Sequence, residues 1–233
     1  NTYAVAQGTA CAAVQPIATD QTVEAFYDYR NPFTEPSAQT YSSYGTRQYQ
    51  EAQTSVFFFH AGDEGVSLVV VNDELGDPSE GSTISMDFTG LPDGEWAVQD
   101  DLYANQDDVW DLDGDTAAID WKWSDNRTDG GAYRGFDGDF ETVTVDPGFN
   151  EDADAWGQWN DSAEPGTRME SWTFTGPGGD LALELDRRLF IHRGECVTTG
   201  APNASLDAAA NATTDQSVTL DASASTDDGT VGG

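Results

Sequence analysis

Two uninterrupted apolar runs, at residues 56–59 (VFFF) and 68–71 (LVVV), constrain the fold more than any other feature of the sequence. Side chains of a β-strand alternate between its two faces, so a continuous apolar run indicates a strand that is covered on both sides. Residues 61–65 (AGDEG), between the runs, are typical of a hairpin connection. We therefore expect two adjacent, doubly covered strands at the centre of a β-sheet.

The rest of the chain up to the second cysteine favours short strands. Val, Ile, Thr and aromatic residues recur in segments that clusters of Gly, Asp, Asn and Pro separate. The candidate strands are 55–60, 66–72, 82–88, 95–100, 117–123, 140–145, 169–175 and 181–193. They predict an all-β fold, a two-sheet antiparallel sandwich of the jelly-roll or immunoglobulin-like kind. Helical character is confined to 22–29, where Thr22 is placed to cap the first turn.

The two cysteines, Cys11 and Cys196, bracket almost the whole of this region. Two cysteines allow one intramolecular bridge, and it would join the ends of an acidic sandwich domain at 1–196. Two buried free thiols are the alternative. The cysteines and the two histidines, His60 and His192, lie at no recognisable spacing for a zinc site.

The chain carries 43 acidic and 9 basic residues, a formal net charge of −34, and Lys122 is its one lysine. In molar salt the Debye length falls to about 3 Å, so repulsion among the carboxylates is screened while they keep the surface hydrated. The composition resembles that of proteins of halophilic archaea. An acidic secreted protein from a mild habitat is the alternative, whereas 37% hydrophobic and 11% aromatic residues exclude a disordered chain.

The same charge excludes two classes of partner. The sequence offers no basic patch to neutralise nucleic-acid phosphates or to bind an anionic membrane surface. No apolar run reaches the roughly 18 residues that a membrane span requires. Cations, glycans and other proteins remain as partners.

Several features predict an exported, extracellular or cell-surface protein. The chain begins at Asn1 rather than at a methionine, which is expected of a processed N-terminus. Four N-x-Ser/Thr sequons predict glycosylation, and they lie at Asn126, Asn160, Asn203 and Asn211. A disulfide would fit the same oxidising compartment.

Acidic residues are unevenly distributed. Residues 61–180 carry 30 acids and four bases, whereas residues 1–60 carry five acids and two bases and are rich in Tyr and Gln. On an acidic protein, a nearly neutral aromatic segment is either an interface with a partner or part of the core. The sequence leaves both interpretations open.

The composition changes after Cys196. Residues 197–202 are typical of a linker. Residues 202–208 (PNASLDA) and 217–230 (SVTLDASASTDDGT) resemble the first strands of a polycystin-type (PKD) domain. This resemblance implies that 203–233 form part of a small immunoglobulin-like module, or strands added to a neighbour. An incomplete sandwich exposes strand edges that accept a strand from another chain, and residues 2–6 are a candidate donor.

Residues 9–196 resemble secreted and cell-surface proteins of haloarchaea. The segments that carry the resemblance are 26–30 (FYDYR), 41–45 (YSSYG), 68–71 (LVVV) and 121–132 (WKWSDNRTDGGA). The resemblance implies export and a haloarchaeal source, and it implies no activity.

An aspartate-rich segment between residues 100 and 115 is the candidate metal site. Seven aspartates and no basic residue occur there. Alternating aspartates in a loop direct several oxygens at one centre, as Ca²⁺ requires. The candidate ligands are Asp107, Asp108, Asp111, Asp113 and Asp115. The segment is not an EF-hand, because no helices flank it, and so acidic a chain would also contain such clusters by composition alone.

A second candidate site follows the predicted strand 117–123. Trp121 and Trp123 share one face, and Arg127, Asp129 and Arg134 fall in the glycine-rich turn that follows. Tryptophan with Arg and Asp on a loop is able to stack on a sugar ring and to hydrogen-bond it. The alternative is that the tryptophans belong to the core and that Arg–Asp pairs fix the loop.

The sequence lacks the motifs of common catalytic sites. It has no Gly-x-Ser-x-Gly elbow, zinc-protease motif or phosphate-binding loop, and His60 and His192 lie in predicted strands. We therefore expect a non-catalytic structural or adhesive surface protein that assembles with itself or with neighbouring subunits into filaments or a lattice. A glycan-binding module is the alternative, a secreted hydrolase is the third hypothesis, and Ca²⁺ is the one cofactor expected.

Overall fold

The computed structural model describes residues 1–34, 40–103, 106–157 and 166–196, together with the backbone of 207–208 and 220–221. The chain divides into two compact units, Asn1–Cys196 and Val197–Gly233. The boundary follows the second cysteine directly. No helix among the described residues is long and apolar enough to cross a membrane.

The regular structure of the first unit is almost all β-strand, which confirms the predicted fold class. Its described strands are β1 (Tyr3–Gln7), β2 (Ala10–Val14), β3 (Ile17–Ala18), β4 (Thr54–Gly62), β5 (Gly65–Asn72), β6 (Ser82–Thr89), β7 (Glu95–Gln99), β8 (Val109–Asp113), β9 (Thr116–Trp123), β10 (Asp129–Arg134), β11 (Val143–Phe149), β12 (Ser171–Gly176), β13 (Gly179–Leu183) and β14 (Leu189–Arg193). The described helical elements are α1 (Val23–Tyr27) and two 3-10 turns, Arg47–Tyr49 and Asn150–Asp152.

The strands form two seven-stranded sheets that pack as a sandwich. Sheet I has the order β2-β1-β14-β11-β6-β9-β8, and sheet II has the order β13-β12-β4-β5-β10-β7, with β3 beside β4. Neighbouring strands are antiparallel except that β3 and β12 run parallel to β4. This mixed pairing differs from the purely antiparallel expectation. The chain reaches β12 by crossing over from β11 of sheet I, not through a hairpin with β4. Such a crossover allows neighbouring strands to run in the same direction, and β12 is parallel to β4.

The two apolar runs occupy the centre of sheet II. In the pair β4–β5, Phe57 lies opposite Val70 and Phe58 lies opposite Val69. Phe57 and Val70 belong to the core between the sheets, whereas Phe58 and Val69 belong to a second apolar cluster on the outer side. The expectation of two doubly covered strands is therefore confirmed.

The segment around α1 covers the outer face of sheet II. Thr22 caps this helix, because its hydroxyl accepts a hydrogen bond from the Ala25 N–H at 3.3 Å. Phe26 and Tyr27 are buried in the outer cluster, and Tyr49 packs against it. For these aromatic residues of the nearly neutral N-terminal segment, the core interpretation holds.

The predicted strand 181–193 is in fact two strands in different sheets, because β13 lies in sheet II and β14 in sheet I. The buried Gln7 side chain fixes the crossing between them. Its amide group donates to the carbonyl oxygens of Glu184 and Arg187 at 3.0 and 2.9 Å, and its Oε1 accepts from the Glu184 N–H at 2.6 Å. The prediction of one strand over 181–193 was wrong because apolar residues lie on both sides of the turn, so the sequence pattern resembles a single strand.

Residues 129–134, predicted as a glycine-rich turn, form strand β10 between β5 and β7. The two glycines allow the neighbouring strands to approach closely, and they do not reverse the chain direction. A Cβ atom on Gly130 would lie 2.1 Å from the Val70 carbonyl oxygen, and one on Gly131 would lie 2.8 Å from that of Val98. The backbone of β10 fits between its neighbours because these positions carry no side chain.

The second unit is described at two short strands, β15 (Asp207–Ala208) and β16 (Leu220–Asp221), which pair antiparallel. Both lie in the segment that resembles a PKD domain. The predicted linker 197–202 and the sequons at Asn203 and Asn211 lie outside the described residues.

The two ends of the first unit meet in sheet I. β1 pairs with β2 on one side and with β14 on the other, so the candidate donor segment 2–6 is paired within its own chain. Cys11 of β2 and Cys196, just beyond β14, form the predicted disulfide, with their Cα atoms 6.0 Å apart. Donation of β1 to another chain would therefore require breaking its hydrogen bonds to two neighbours.

We expect loss of the disulfide to destabilise the first unit without changing its fold. The bridge joins residues that are 185 positions apart, and closing so long a loop stabilises a domain by at most about 5 kcal/mol. Urea unfolding of the wild type and of a Cys11→Ser/Cys196→Ser variant in molar NaCl measures the difference. Equal free energies of unfolding would contradict this expectation.

Candidate functional site

Four buried aspartates lie where β7 ends and where β8 and β10 begin, and we call them the aspartate cluster: Asp100, Asp101, Asp108 and Asp129. β7 and β10 are antiparallel neighbours, so the end of one meets the start of the other. The exposed fractions of the four residues are between 0% and 9%. Buried carboxylates this close to one another need hydrogen bonds or counter-charge.

Two tyrosines of the outer layer donate hydrogen bonds to the cluster. The Tyr27 hydroxyl donates to Asp100 Oδ2 at 2.7 Å, and the Tyr29 hydroxyl donates to Asp101 Oδ1 at 2.8 Å. The Asp101 N–H also donates to Asp100 Oδ1, at 3.1 Å. These bonds stabilise two of the four carboxyl groups and tie the outer layer to sheet II.

Asp108 and Asp129 belong to opposite sheets. Asp108 Oδ1 accepts from the Lys122 N–H of β9 at 2.9 Å, and Asp129 Oδ1 accepts from the Gly130 N–H of β10 at 2.7 Å. The Oδ2 atoms of both find no donor among the described residues. The two carboxyl groups are near enough to hydrogen-bond if one of them is protonated. When both are ionised, each keeps one buried oxygen without a partner.

Burial raises the pKa of every member of the cluster, because the charged form loses its hydration. Desolvation raises the pKa of Asp101 to about 6 and that of Asp108 to about 8. Desolvation, followed by the charges of neighbouring aspartates, also raises the pKa values of Asp100 and Asp129 well above their usual range. The charge of Arg127 acts in the opposite direction on the pKa of Asp101.

A group of polar and aromatic side chains borders the cluster, and we call it the tyrosine face: Tyr29, Arg30, Tyr41 and Tyr103. The Arg30 guanidinium lies 4.5 Å from the centre of the Tyr41 ring. The Tyr41 ring is 4.9 Å from that of Tyr103 and 6.4 Å from that of Tyr29. Tyr103 is 37% exposed, so the face reaches solvent, while the Tyr29 hydroxyl connects it to Asp101.

Left-handed backbone at non-glycine residues surrounds the tyrosine face. Asp28, Arg30 and Asn31 have φ angles of 53°, 62° and 46°, and Asp101 has a φ angle of 59°. Each such residue costs on the order of 1 kcal/mol. The buried Asp28 carboxylate fixes the loop, because it accepts a hydrogen bond from the Phe33 N–H at 2.9 Å. A costly conformation that the surroundings hold in place is typical of a functional site.

The predicted calcium ligands do not come together in the structure. Asp111 and Asp113 lie on β8 and Asp115 in the turn after it, all exposed, whereas Asp108 is buried in the cluster. Asp107 is half-buried and accepts from the Tyr103 hydroxyl at 3.3 Å. Within the described ranges, no three Asp, Glu, His or Cys side chains are grouped so as to hold a metal ion. Calcium binding by this set stays a prediction.

The tryptophans of the predicted sugar site are core residues in the structure. Trp121 is 0% and Trp123 is 2% exposed. Their indole N–H groups donate to the Gly130 carbonyl oxygen at 3.0 Å and to Asp73 Oδ2 at 2.8 Å. Neither ring offers a face on which a sugar could stack.

The polar residues predicted beside these tryptophans lie in two places. Asp129 belongs to the aspartate cluster, and Arg127 is half-buried beside it. Arg134 lies at the other end of β10, where it forms ion pairs with three glutamates: Glu24, Glu64 and Glu95. The structure therefore brings Arg127 and Asp129 into one region and leaves Arg134 out of it.

The remaining predicted positions are not part of the site. Asn126 lies exposed in the turn between β9 and β10, and Asn160 lies outside the described residues. His60 is buried and its Nε2 is hydrogen-bonded to the Thr19 hydroxyl at 2.7 Å; burial lowers its pKa to about 4. His60 is thus structural, and glycosylation stays a prediction.

Sequence reasoning missed the tyrosine face, but a signal for it was present. Three of the four segments on which the predicted haloarchaeal resemblance rests supply residues to the tyrosine face or to the aspartate cluster and its donors, whereas 68–71 lies within β5. Residues 26–30 supply Tyr27, Tyr29 and Arg30, and residues 41–45 supply Tyr41. Residues 121–132 supply Asp129. The interface interpretation of the nearly neutral segment 1–60 covered Tyr29, Arg30 and Tyr41, but not Tyr103.

No protein-family model, no curated protein and no solved structure matches the chain. The resemblances to haloarchaeal proteins and to a PKD domain therefore stay predictions, and function has to be argued from the geometry of the site.

We expect the free energy of unfolding to fall as the pH rises from about 4 to about 8. The raised pKa values of Asp101 and Asp108 mean that the folded state holds protons that the unfolded chain has already released. Each such proton changes the free energy of unfolding by about 1.4 kcal/mol per pH unit. Urea unfolding in EDTA and constant molar NaCl, at pH 5 and pH 8, measures this dependence.

The control variants are Asp108→Asn and Asp111→Asn. The first removes one titrating carboxyl and should flatten the pH dependence, whereas the second changes an exposed carboxylate and should leave it unaltered. A wild type that becomes more stable towards pH 8 would contradict the expectation.

Proposed function

We propose that this chain is a non-catalytic, extracellular attachment module of a surface protein from a high-salt habitat, and that its tyrosine face binds neutral glycans. One observation carries the proposal: three tyrosine rings and a guanidinium lie together at the surface beside the Asp107 carboxylate, and Arg30 lies in a loop held in left-handed conformations.

The chemistry of the tyrosine face matches that of a sugar. Aromatic rings pack against the apolar face of a pyranose, while its hydroxyls donate to carboxylates and accept from a guanidinium. Tyr41 and Tyr103 supply the rings, Asp107 supplies an acceptor, and Arg30 supplies donors. The surplus of negative charge nearby disfavours acidic sugars, so neutral glycans are the expected ligands.

The burial of the aspartates favours binding over hydrolysis. A glycosidase needs an acid and a carboxylate that both contact the scissile bond. Asp100 and Asp129 are 0% exposed, and a hydrogen bond from Tyr29 occupies Asp101. Desolvation accounts for the raised pKa values, so they do not require a catalytic role.

Two features support an extracellular, high-salt setting. The disulfide between Cys11 and Cys196 fits an oxidising compartment. The net charge of −34 fits molar salt, in which repulsion between exposed carboxylates is screened.

A Tyr41→Ala variant is expected to bind a neutral polysaccharide at least about tenfold more weakly than the wild type, since it removes the ring at the centre of the face. Tyr44→Ala is the matched control, because Tyr44 is also half-buried and also carries an arginine, Arg47, at 5.1 Å from its ring. Binding is measured on an array of neutral and acidic polysaccharides in molar NaCl, followed by titration of the strongest ligand.

Three results would count against glycan binding by the tyrosine face. They are no binding of the wild type to any neutral polysaccharide, equal losses in Tyr41→Ala and Tyr44→Ala, and a preference for acidic polysaccharides.

Self-assembly is the second candidate function, and the edge of sheet I favours it. β8 is an edge strand, and two of its apolar residues are exposed, Val109 by 50% and Leu112 by 41%. An apolar strand edge accepts a strand from another chain. Electron microscopy of the protein in molar salt should then reveal filaments or a lattice that Val109→Lys disperses, whereas single particles at all concentrations would contradict assembly.

A further inference from the structure

We propose that Asp108, Asp129 and Asn72 form a binding site for one divalent cation that links the two sheets of the sandwich. The site shares Asp108 with the calcium set that the sequence predicts but not its exposed aspartates on the β8–β9 hairpin, and it does not depend on glycan binding by the tyrosine face.

The two carboxylates are presented from opposite sheets by short backbone contacts. Asp108 precedes β8 and is fixed by the N–H of Lys122 on the neighbouring strand of sheet I. Asp129 opens β10 of sheet II and is fixed by the N–H of Gly130. Each bond uses Oδ1 and leaves Oδ2 available, so both side chains are held in place with one oxygen free for a ligand.

The free oxygens are buried. Asp108 is 4% and Asp129 is 0% exposed, and neither Oδ2 finds a donor within the described residues. Two ionised carboxylates in this position lose their hydration and repel each other, which costs several kcal/mol unless a positive charge lies between them. The ion pairs of the described residues engage other acids, at Glu24, Glu64, Glu95, Asp139, Asp146, Glu151 and Glu184.

Asn72 provides an observation independent of the acidic residues. It lies on β5 directly across from Asp129, and directly opposed side chains of antiparallel strands lie on the same face. Asn72 is 0% exposed, and its Nδ2 finds no hydrogen-bond partner among the residues that the structure describes. A buried amide group without a hydrogen bond on Nδ2 therefore shares a face with the Asp129 carboxyl, whose Oδ2 also lacks a donor among the described residues.

The orientation of the Asn72 amide is compatible with a role as a ligand. The Ser55 hydroxyl donates to its Oδ1 at 2.7 Å. A hydroxyl can accept a hydrogen bond as well as donate one. The Asn72 amide can therefore be rotated by half a turn, and the Ser55 hydroxyl then accepts a hydrogen bond from its Nδ2. The amide oxygen then replaces Nδ2 on the side that lacked a partner.

The donor set selects the class of cation. Two carboxylate oxygens and one amide oxygen are hard ligands, with no sulfur or imidazole, and such sets bind Ca²⁺ or Mg²⁺ rather than Zn²⁺. Two negative charges match a divalent ion. Water or backbone carbonyl oxygens complete the coordination, as they do in most Ca²⁺ sites.

The test is calcium titration of the whole chain in NaCl, with calorimetric affinity and thermal unfolding as the two measurements. We expect one Ca²⁺ per chain and a rise in the unfolding temperature that an equal ionic strength of added NaCl does not reproduce. Asp108→Asn and Asp129→Asn should bind Ca²⁺ at least about tenfold more weakly. The double variant Asp111→Asn/Asp113→Asn is the control and should bind as the wild type does.

Asn72→Asp provides a test in the opposite direction. It adds a third carboxylate, so it should raise the affinity for Ca²⁺ while lowering the unfolding temperature in EDTA. This variant keeps the proposal testable even if an Asp→Asn variant does not fold.

Four outcomes would overturn the proposal. In the first, Ca²⁺ stabilises the wild type no more than NaCl does. In the second, Asp108→Asn or Asp129→Asn binds Ca²⁺ as tightly as the wild type, and in the third the hairpin control loses Ca²⁺ binding. In the fourth, the affinity of Asn72→Asp for Ca²⁺ is equal to or below that of the wild type. None of them bears on polysaccharide binding, which is measured separately.

Discussion

The burial of four aspartates at one end of the sandwich is the constraint on which the rest of the site depends. Carboxylates that lose their hydration need donors or counter-charge, and the surrounding elements supply part of this. α1 and the loop after it place the hydroxyls of Tyr27 and Tyr29 on Asp100 and Asp101. The same loop carries Arg30 over Tyr41, so the contacts that stabilise the buried acids also assemble the exposed tyrosine face.

Acidity acts in two different ways in this protein. Exposed carboxylates repel one another through solvent, and molar salt removes most of that repulsion because the Debye length becomes about 3 Å. Buried carboxylates are screened much less by salt, so Asp108 and Asp129 need a group bound in place. The proposed high-salt habitat would therefore account for the surface of the molecule, whereas the cluster requires a proton or a specific cation.

The sequence predicted the architecture well where local pattern decides structure. The apolar runs of β4 and β5 indicated doubly covered strands, and the lone pair of cysteines indicated the bridge. The residue pattern gave a wrong prediction where tertiary packing determines the local structure, because Gly130 and Gly131 lie in a crowded strand and not in a turn. It failed at the site for a related reason. Nothing in a sequence with 43 acids distinguishes the four aspartates of the cluster, and the tyrosines that donate to Asp100 and Asp101 lie 73 and 72 residues away from them.

The most direct test of the account is a crystal structure of the protein grown with Ca²⁺, with an anomalous difference map collected at long wavelength. The account predicts a peak between the sheets, about 2.4 Å from the Oδ2 atoms of Asp108 and Asp129, with the Asn72 amide oxygen turned toward it. A map without a peak there, or with peaks confined to the exposed aspartates of the β8–β9 hairpin, would contradict it.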